Sequence, residues 1–101
     1  PALFNSIPKQ SKAAIKVLFL NGIDITDFDF SRFTRLKILG LSETQNLTAD
    51  LFNAIPAKIK ASIRDIYLDE VNIAGFDFSG FTKLEFSSFC GSSGIRKAIL
   101  I

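Results

Sequence analysis

Few side chains in this 101-residue sequence could carry chemistry, and histidine, the most versatile of the candidates, is absent. Histidine is the side chain used most often as a general base, because its ordinary pKa is about 6.5. The only cysteine, Cys90, therefore has no histidine to activate it as a nucleophile, and one thiol cannot supply a usual zinc ligand set. We expect no cofactor, no metal site and no catalytic residue, and hence a protein that is not an enzyme.

Carboxylates are the remaining candidates for catalysis or metal binding. Paired carboxylates can hydrolyse glycosidic bonds, and clustered ones can ligate a hard cation. Four of them fall near the third and fourth strands predicted below: Asp65, Asp69, Glu70 and Glu85. A solvated acidic patch balanced by Arg64 and Lys83 explains the same residues more simply, and we adopt that interpretation.

Charge and hydropathy exclude several classes of protein. The 12 basic and 10 acidic residues give a net charge of +2 and are spread evenly along the chain, which argues against a nucleic-acid-binding groove. No apolar run approaches the roughly 18 residues that a membrane-spanning helix needs. With 48% hydrophobic residues, the chain has ample material for one folded core.

Two long units follow one another in the sequence. Leu3-Phe4-Asn5-Ser6-Ile7-Pro8 returns as Leu51-Phe52-Asn53-Ala54-Ile55-Pro56, and Phe28-Asp29-Phe30-Ser31 returns as Phe76-Asp77-Phe78-Ser79. Each pair is separated by 48 positions, and scattered single residues agree at the same offset. The chain is therefore an internal repeat.

Each long unit contains two shorter frames. Ile15-x-x-Leu18-x-Leu20-x-x-Ile23-x-Ile25 places apolar residues at frame positions 1, 4, 6, 9 and 11. Frames starting at Ile15, Leu36, Ile63 and Leu84 are spaced by 21, 27 and 21 residues. The fourth frame is the least regular, since Ser87 occupies position 4.

These four frames resemble the leucine-rich repeat, with its pattern L-x-x-L-x-L-x-x-N-x-L. Position 9 of the pattern is usually asparagine or cysteine, but here it is Ile23, Thr44, Val71 and Ser92. The buried asparagine ladder is therefore missing, and the backbone groups of those turns must find other hydrogen-bond partners. The resemblance implies an α/β solenoid spanning residues 1–101, with a short parallel sheet on its concave side. Helical and phenylalanine-rich crossovers would alternate on the convex side, and the apolar chain ends suggest a segment of a longer array.

The two crossovers have different patterns. Leu51, Ile55 and Ile59 form a helical stripe between Thr48 and Ser62, where Thr48 is a suitable N-cap and Pro56 predicts a kink or two short helices. Thr26–Arg35, like Ala74–Lys83, predicts an extended segment and a single tight turn capped by Ser31 or Ser79, with Asp29 and Asp77 as turn residues. We expect the two phenylalanine triads (28, 30, 33 and 76, 78, 81) to stack on each other.

Strand alternation leaves a second set of side chains outside the core. Several of them are large and apolar, which is typical of protein contact surfaces. We therefore predict that the concave, partner-binding face consists of Val17, Phe19, Asn21, Ile38, Ser42, Asp65, Tyr67, Asp69, Phe86 and Ser88. Val17, Ile38 and Phe86 should share one row of this face, and Phe19 and Tyr67 another.

The resemblance and the lack of catalytic groups indicate a protein–protein interaction module whose partner is another protein, with no nucleic acid and no membrane involved. Two alternatives stay open: self-association through the uncapped ends, and a substrate-recognition part of a larger enzyme such as a ubiquitin ligase. The single thiol favours the cytoplasm. One N-x-T acceptor at Asn46 leaves a secreted effector or receptor segment as the other location.

Overall fold

Four three-residue strands form at the same place in each frame, positions 3 to 5. The computed structural model describes residues 8–93, and the chain ends that we expect to be uncapped lie outside this range. The elements in chain order are α1 (Lys9–Ala14), β1 (Val17–Phe19), β2 (Ile38–Gly40), α2 (Ala49–Asn53), α3 (Ala57–Lys60), β3 (Asp65–Tyr67) and β4 (Phe86–Ser88). The fold is a small α/β domain.

The four strands form one parallel sheet in the order β1-β2-β3-β4. Residues at the same frame position pair across every junction, so that Leu18 is opposite Leu39 and Leu39 is opposite Ile66. Parallel neighbours need a crossover between strands, and each frame supplies one. The predicted parallel sheet is therefore confirmed.

The core is built from frame positions 1, 4, 6 and 11. In the second and third frames these side chains are fully buried wherever they are apolar: Leu36, Leu39, Leu41, Ile63, Ile66, Leu68 and Ile73. The fourth frame is looser, because Ser87 is exposed and Leu84 and Phe89 are only partly buried. The irregularity of that frame in the sequence therefore corresponds to poorer burial in the structure.

A left-handed residue follows every strand at position 8. Gly22 and Gly91 adopt φ values of +75° and +73°, and Glu43 and Glu70 adopt +58°. Left-handed backbone suits glycine and costs about 1–2 kcal/mol for other residues. The recurrence of this conformation at one frame position shows that all four frames turn out of their strand in the same way.

The long crossover is divided at Pro56, as predicted. Helix α2 begins after Thr48, whose hydroxyl accepts a hydrogen bond from the Leu51 N–H at 3.1 Å. Pro56 precedes α3 as its N-cap residue. Proline has no N–H to donate to the preceding turn, so the helix ends before it and a second one begins after it. The predicted N-cap and the predicted pair of short helices are both confirmed.

The short crossover has three turns, so the prediction of one turn is wrong. Phe28, Phe33 and Leu36 each donate a backbone hydrogen bond to the carbonyl three residues earlier, at 3.0–3.3 Å. The residues 48 positions later, Phe76, Phe81 and Leu84, do the same. The turns shorten the distance that the crossover spans between the end of one strand and the start of the next. A crossover that was mostly extended would be too long for this distance.

Aspartate caps these turns, and the predicted serine cap is wrong. The Asp29 carboxylate accepts a 2.9 Å hydrogen bond from the Ser31 N–H, and Asp77 accepts the equivalent bond from Ser79. The pKa of both carboxyls is lowered, because hydrogen bonds stabilise the charged form. The bond from the serine hydroxyl has the larger effect and the bond from the serine N–H the smaller one. The role of Asp29 and Asp77 as turn residues is confirmed.

The phenylalanine triads pack differently from the prediction. Among residues 8–93 no ring of one triad contacts a ring of the other. Instead Phe52 of α2 lies against Phe76, Phe78 and Phe81, at ring-centroid distances of 4.4, 5.3 and 5.4 Å. The long crossover separates the triads, and its own aromatic ring fills the space beside the second one.

Candidate binding face

One face of the sheet carries the side chains at positions 3, 5 and 7, and we call it the strand face. The register places Val17, Ile38, Asp65 and Phe86 in one row and Phe19, Gly40, Tyr67 and Ser88 in the next. Both predicted rows are thus confirmed. Asn21, Ser42 and Asp69 follow at the ends of their strands.

Apolar exposure is concentrated on this face. Val17, Phe19 and Phe86 are 48%, 51% and 50% exposed, and they are the large hydrophobic residues that are exposed among residues 8–93. Exposed apolar side chains scattered singly need no explanation, but a group on one surface often marks an interaction site. This concentration distinguishes the strand face from the rest of the described surface.

The aromatic rings of the strand face form a connected line. Phe19 lies 5.8 Å from Tyr67, and Tyr67 lies 5.4 Å from Phe86, measured between ring centroids. Phe19 and Tyr67 are two strands apart, and their contact passes over Gly40. A methyl group at Gly40 would collide with the Phe19 ring, so glycine is required for this close approach. We call Phe19, Tyr67 and Phe86 the aromatic line.

A ladder of side-chain acceptors runs along the ends of the strands. Asn21 Oδ1 accepts from the Ser42 N–H at 3.0 Å, and Ser42 Oγ accepts from the Asp69 N–H at 3.1 Å. Asp69 Oδ1 completes it, accepting from the Cys90 N–H at 2.8 Å and from the Ser88 hydroxyl at 2.5 Å. These predicted contact residues therefore also join neighbouring frames, a role that we did not predict.

Backbone groups near position 9 find hydrogen-bond partners without asparagine, as the sequence requires. Thr44 Oγ1 donates to the Leu41 carbonyl at 2.8 Å, while the Ser92 hydroxyl donates to the Leu68 carbonyl and accepts from the Val71 N–H. No buried side-chain nitrogen or oxygen within the described part of the chain lacks a hydrogen-bond partner. The hydroxyls thus take over part of the role of the missing ladder.

Charged residues flank the aromatic line at both ends of the strands. Position 2 carries Lys16, Lys37 and Arg64 in adjacent strands, followed by Glu85. At position 8, Glu43 and Glu70 are neighbours. A hydrogen bond with Glu43 and the charge of that carboxyl raise the pKa of Glu70, because both disfavour its ionised form. We did not predict this basic row from the sequence, although a basic residue recurs at position 2 of the first three frames.

Of the four carboxylates considered for catalysis, the structure gives partners to Glu85 and Asp69. Glu85 lies 4.0 Å from Arg64 in an exposed ion pair, and Asp69 is occupied in the acceptor ladder. No group of three or more potential ligands is arranged to hold a metal ion among residues 8–93. Cys90 is exposed, with its N–H bonded to Asp69.

One further acidic residue, Asp24, is structural and was not predicted. Its Oδ1 accepts from the Asn46 amide at 2.8 Å and from both the N–H and the hydroxyl of Thr26 at 3.0 and 2.7 Å. These hydrogen bonds, the one from Asn46 first, lower the pKa of Asp24 to about 2. Asp24 lies at position 10, where it stabilises the turn that leaves the first frame and is not part of the strand face.

The three helices between residues 8 and 93 are all too short to cross a bilayer. Comparisons with known protein families, with curated proteins and with solved structures found no match to this chain.

Proposed function

We propose that this protein is a divergent leucine-rich-repeat solenoid that binds another protein through its strand face. The observation that carries the proposal is the exposure of Val17, Phe19 and Phe86 on one face of the sheet. A non-catalytic role fits this surface, since the sequence has no histidine and the Asp69 carboxylate is occupied in hydrogen bonds.

The solenoid part of the proposal is supported by the regularity of the frames. In all four, a strand occupies positions 3 to 5 and a left-handed residue occupies position 8. Each frame packs beside the next through the same pairing register. Stacking of this kind buries one flank of every repeat on its neighbour and leaves the strand face as the open, concave surface.

The binding part is supported by the aromatic line. Aromatic side chains are enriched among the residues that dominate protein interfaces, because they bury a large area at low conformational cost. Phe19 and Phe86 are half exposed, and each touches Tyr67. The three rings thus form a preorganised apolar surface that extends across all four strands.

Replacing both Phe19 and Phe86 by alanine is expected to weaken partner binding at least about tenfold while the protein stays folded. Each ring is about half exposed, so its loss removes contact area without opening a core cavity. Partners captured with the tagged protein and then purified would be titrated calorimetrically against the wild type and the double variant.

The matched control is Arg32→Ala together with Lys58→Ala, because both side chains are exposed and lie on the crossovers. This control should bind as the wild type does. Unchanged affinity of the Phe19/Phe86 double variant for every purified partner would remove the strand face as the binding site.

A further inference from the structure

Among residues 8–93, no further strand pairs with either edge of the sheet, and the two edges are complementary in their backbone groups. Within the chain, Leu41 and Glu43 of the second frame donate their N–H groups to the carbonyls of Tyr67 and Asp69, at 2.8 and 2.9 Å. The equivalent donors beyond β4 belong to Phe89 and Gly91, and neither has an acceptor among residues 8–93. Edge strand β1, in turn, pairs only with β2 in the described part of the chain. An open edge is a template for another strand.

The apolar flanks beside these edges are also incompletely covered. Leu84 and Phe89 are partly buried, whereas their counterparts Leu36 and Leu41, 48 residues earlier, are 0% exposed. Beside β1, Ile15 and Ile23 are partly buried, whereas their counterparts 48 residues later, Ile63 and Val71, are 0% and 5% exposed. Each flank thus lacks the cover that the equivalent surface receives inside the chain.

The interface that would cover both flanks already exists once in this molecule. The 48-residue repeat makes β3 the equivalent of β1, and β4 the equivalent of β2. The junction between β2 and β3 is therefore a template for a junction between β4 and β1 of another copy. In that register the Phe89 and Gly91 N–H groups would meet the carbonyls of Phe19 and Asn21.

The side chains at such a junction match in charge and in size. At position 2, Glu85 would lie beside Lys16, whereas the internal junction places Lys37 beside Arg64. At position 3, Phe86 would lie beside Val17, and both are exposed apolar residues on the edge strands. At position 5, the order Phe19, Gly40, Tyr67, Ser88 would continue with Phe19, so that large and small residues keep alternating.

From these observations we infer that copies of this chain associate head to tail, with the β4 edge of one copy pairing in parallel with the β1 edge of the next. The contact is heterologous, because it joins two different surfaces, so each added copy presents a new free edge and assembly does not close at a dimer. The inference does not rest on the proposed partner binding, although Val17, Phe19 and Phe86 of the strand face would also lie at this junction.

Sedimentation velocity of the full chain, from about 5 µM to about 1 mM, tests the inference. We expect the mean mass to rise beyond that of a dimer with concentration. Lys16→Glu would set two carboxylates side by side at the junction and raise the concentration for half-association by about five- to tenfold. Glu85→Lys should act equally, and the double variant Lys16→Glu/Glu85→Lys should recover association.

Both exchanged side chains are exposed, so each variant should keep the wild-type unfolding midpoint. Lys58→Glu on α3 changes the net charge by the same amount as Lys16→Glu and should leave the mass distribution unchanged. Mass fixed at that of one chain throughout, growth that stops at a dimer, or a double variant that fails to recover would each overturn the inference. Partner binding measured on monomeric Lys16→Glu protein tests the proposed function separately.

Discussion

Replacing Phe52 by alanine is expected to lower the free energy of unfolding by about 3–5 kcal/mol, the loss that follows when a large aromatic ring is removed from a packed core. Phe52 is fully buried, and its ring stacks on Phe76 at a centroid distance of 4.4 Å while also touching Phe78 and Phe81. Truncation would leave a cavity beside three rings that the short turns hold in place. Denaturant titration followed by far-ultraviolet circular dichroism measures the loss.

Phe19→Ala is the matched control, because it deletes the same atoms from a side chain that is 51% exposed. Its expected cost is below about 1 kcal/mol, since the deleted ring leaves no enclosed cavity. Phe52→Leu keeps most of the buried volume and should lie between the two. Equal losses for Phe52→Ala and Phe19→Ala would contradict the position assigned to Phe52 at the centre of the aromatic core.

Asp69→Ala is expected to cost about 1.5–3 kcal/mol, although aspartate on a sheet face is usually dispensable. One carboxylate oxygen of Asp69 accepts from the Cys90 N–H and from the Ser88 hydroxyl, and thereby joins the third frame to the fourth. Alanine would leave both donors without their acceptor. The same denaturant titration measures the effect.

Asp65→Ala is the control for this prediction, because Asp65 lies on the same face while its carboxylate makes no hydrogen bond to any residue in the range 8–93. It should change stability by less than about 0.5 kcal/mol. Asp69→Asn retains an acceptor oxygen and should preserve most of the stability. A cost for Asp65→Ala as large as that for Asp69→Ala would show that charge, and not the acceptor ladder, sets the contribution of this face.

The strands, their register and the divided helix could be predicted from the sequence because each follows from a periodic or strongly local signal. Leu18 and Leu20 lie on the same side of the pleat, and their counterparts return at fixed spacings, so pairing at equal frame positions is the arrangement that buries every one of them. Pro56 and Thr48 act on their own turn of helix, so their effects do not depend on distant packing.

The short crossovers could not be predicted in the same way, because their conformation depends on what they pack against. Three turns in ten residues bring Phe28, Phe30 and Phe33 into one cluster, yet the turn-forming residues among these ten do not indicate how many turns there are. Glu43 and Glu70 adopt left-handed backbone that their residue type disfavours, so only comparison with Gly22 and Gly91 indicates it.

The candidate site was predicted as a set of positions, and its internal structure was not. The sequence places Asn21, Ser42 and Asp69 on one face, but these residues share only a side-chain oxygen, so their acceptor ladder has no recognisable motif. Likewise, the contact between Phe19 and Tyr67 depends on Gly40, which lies between them on the middle strand. Cross-strand neighbours of this kind become apparent only once the register is known.

Scalar couplings across backbone hydrogen bonds, measured by nuclear magnetic resonance, test the stacked-frame account most directly. The account predicts couplings from the amides of Leu20, Leu41 and Leu68 to the carbonyl carbons of Gly40, Tyr67 and Ser88, which lie 20, 26 and 20 residues later in the chain. All three couplings together would establish parallel frames in register. Couplings from these amides to carbonyls four residues earlier, or to strands running in the opposite direction, would contradict the account.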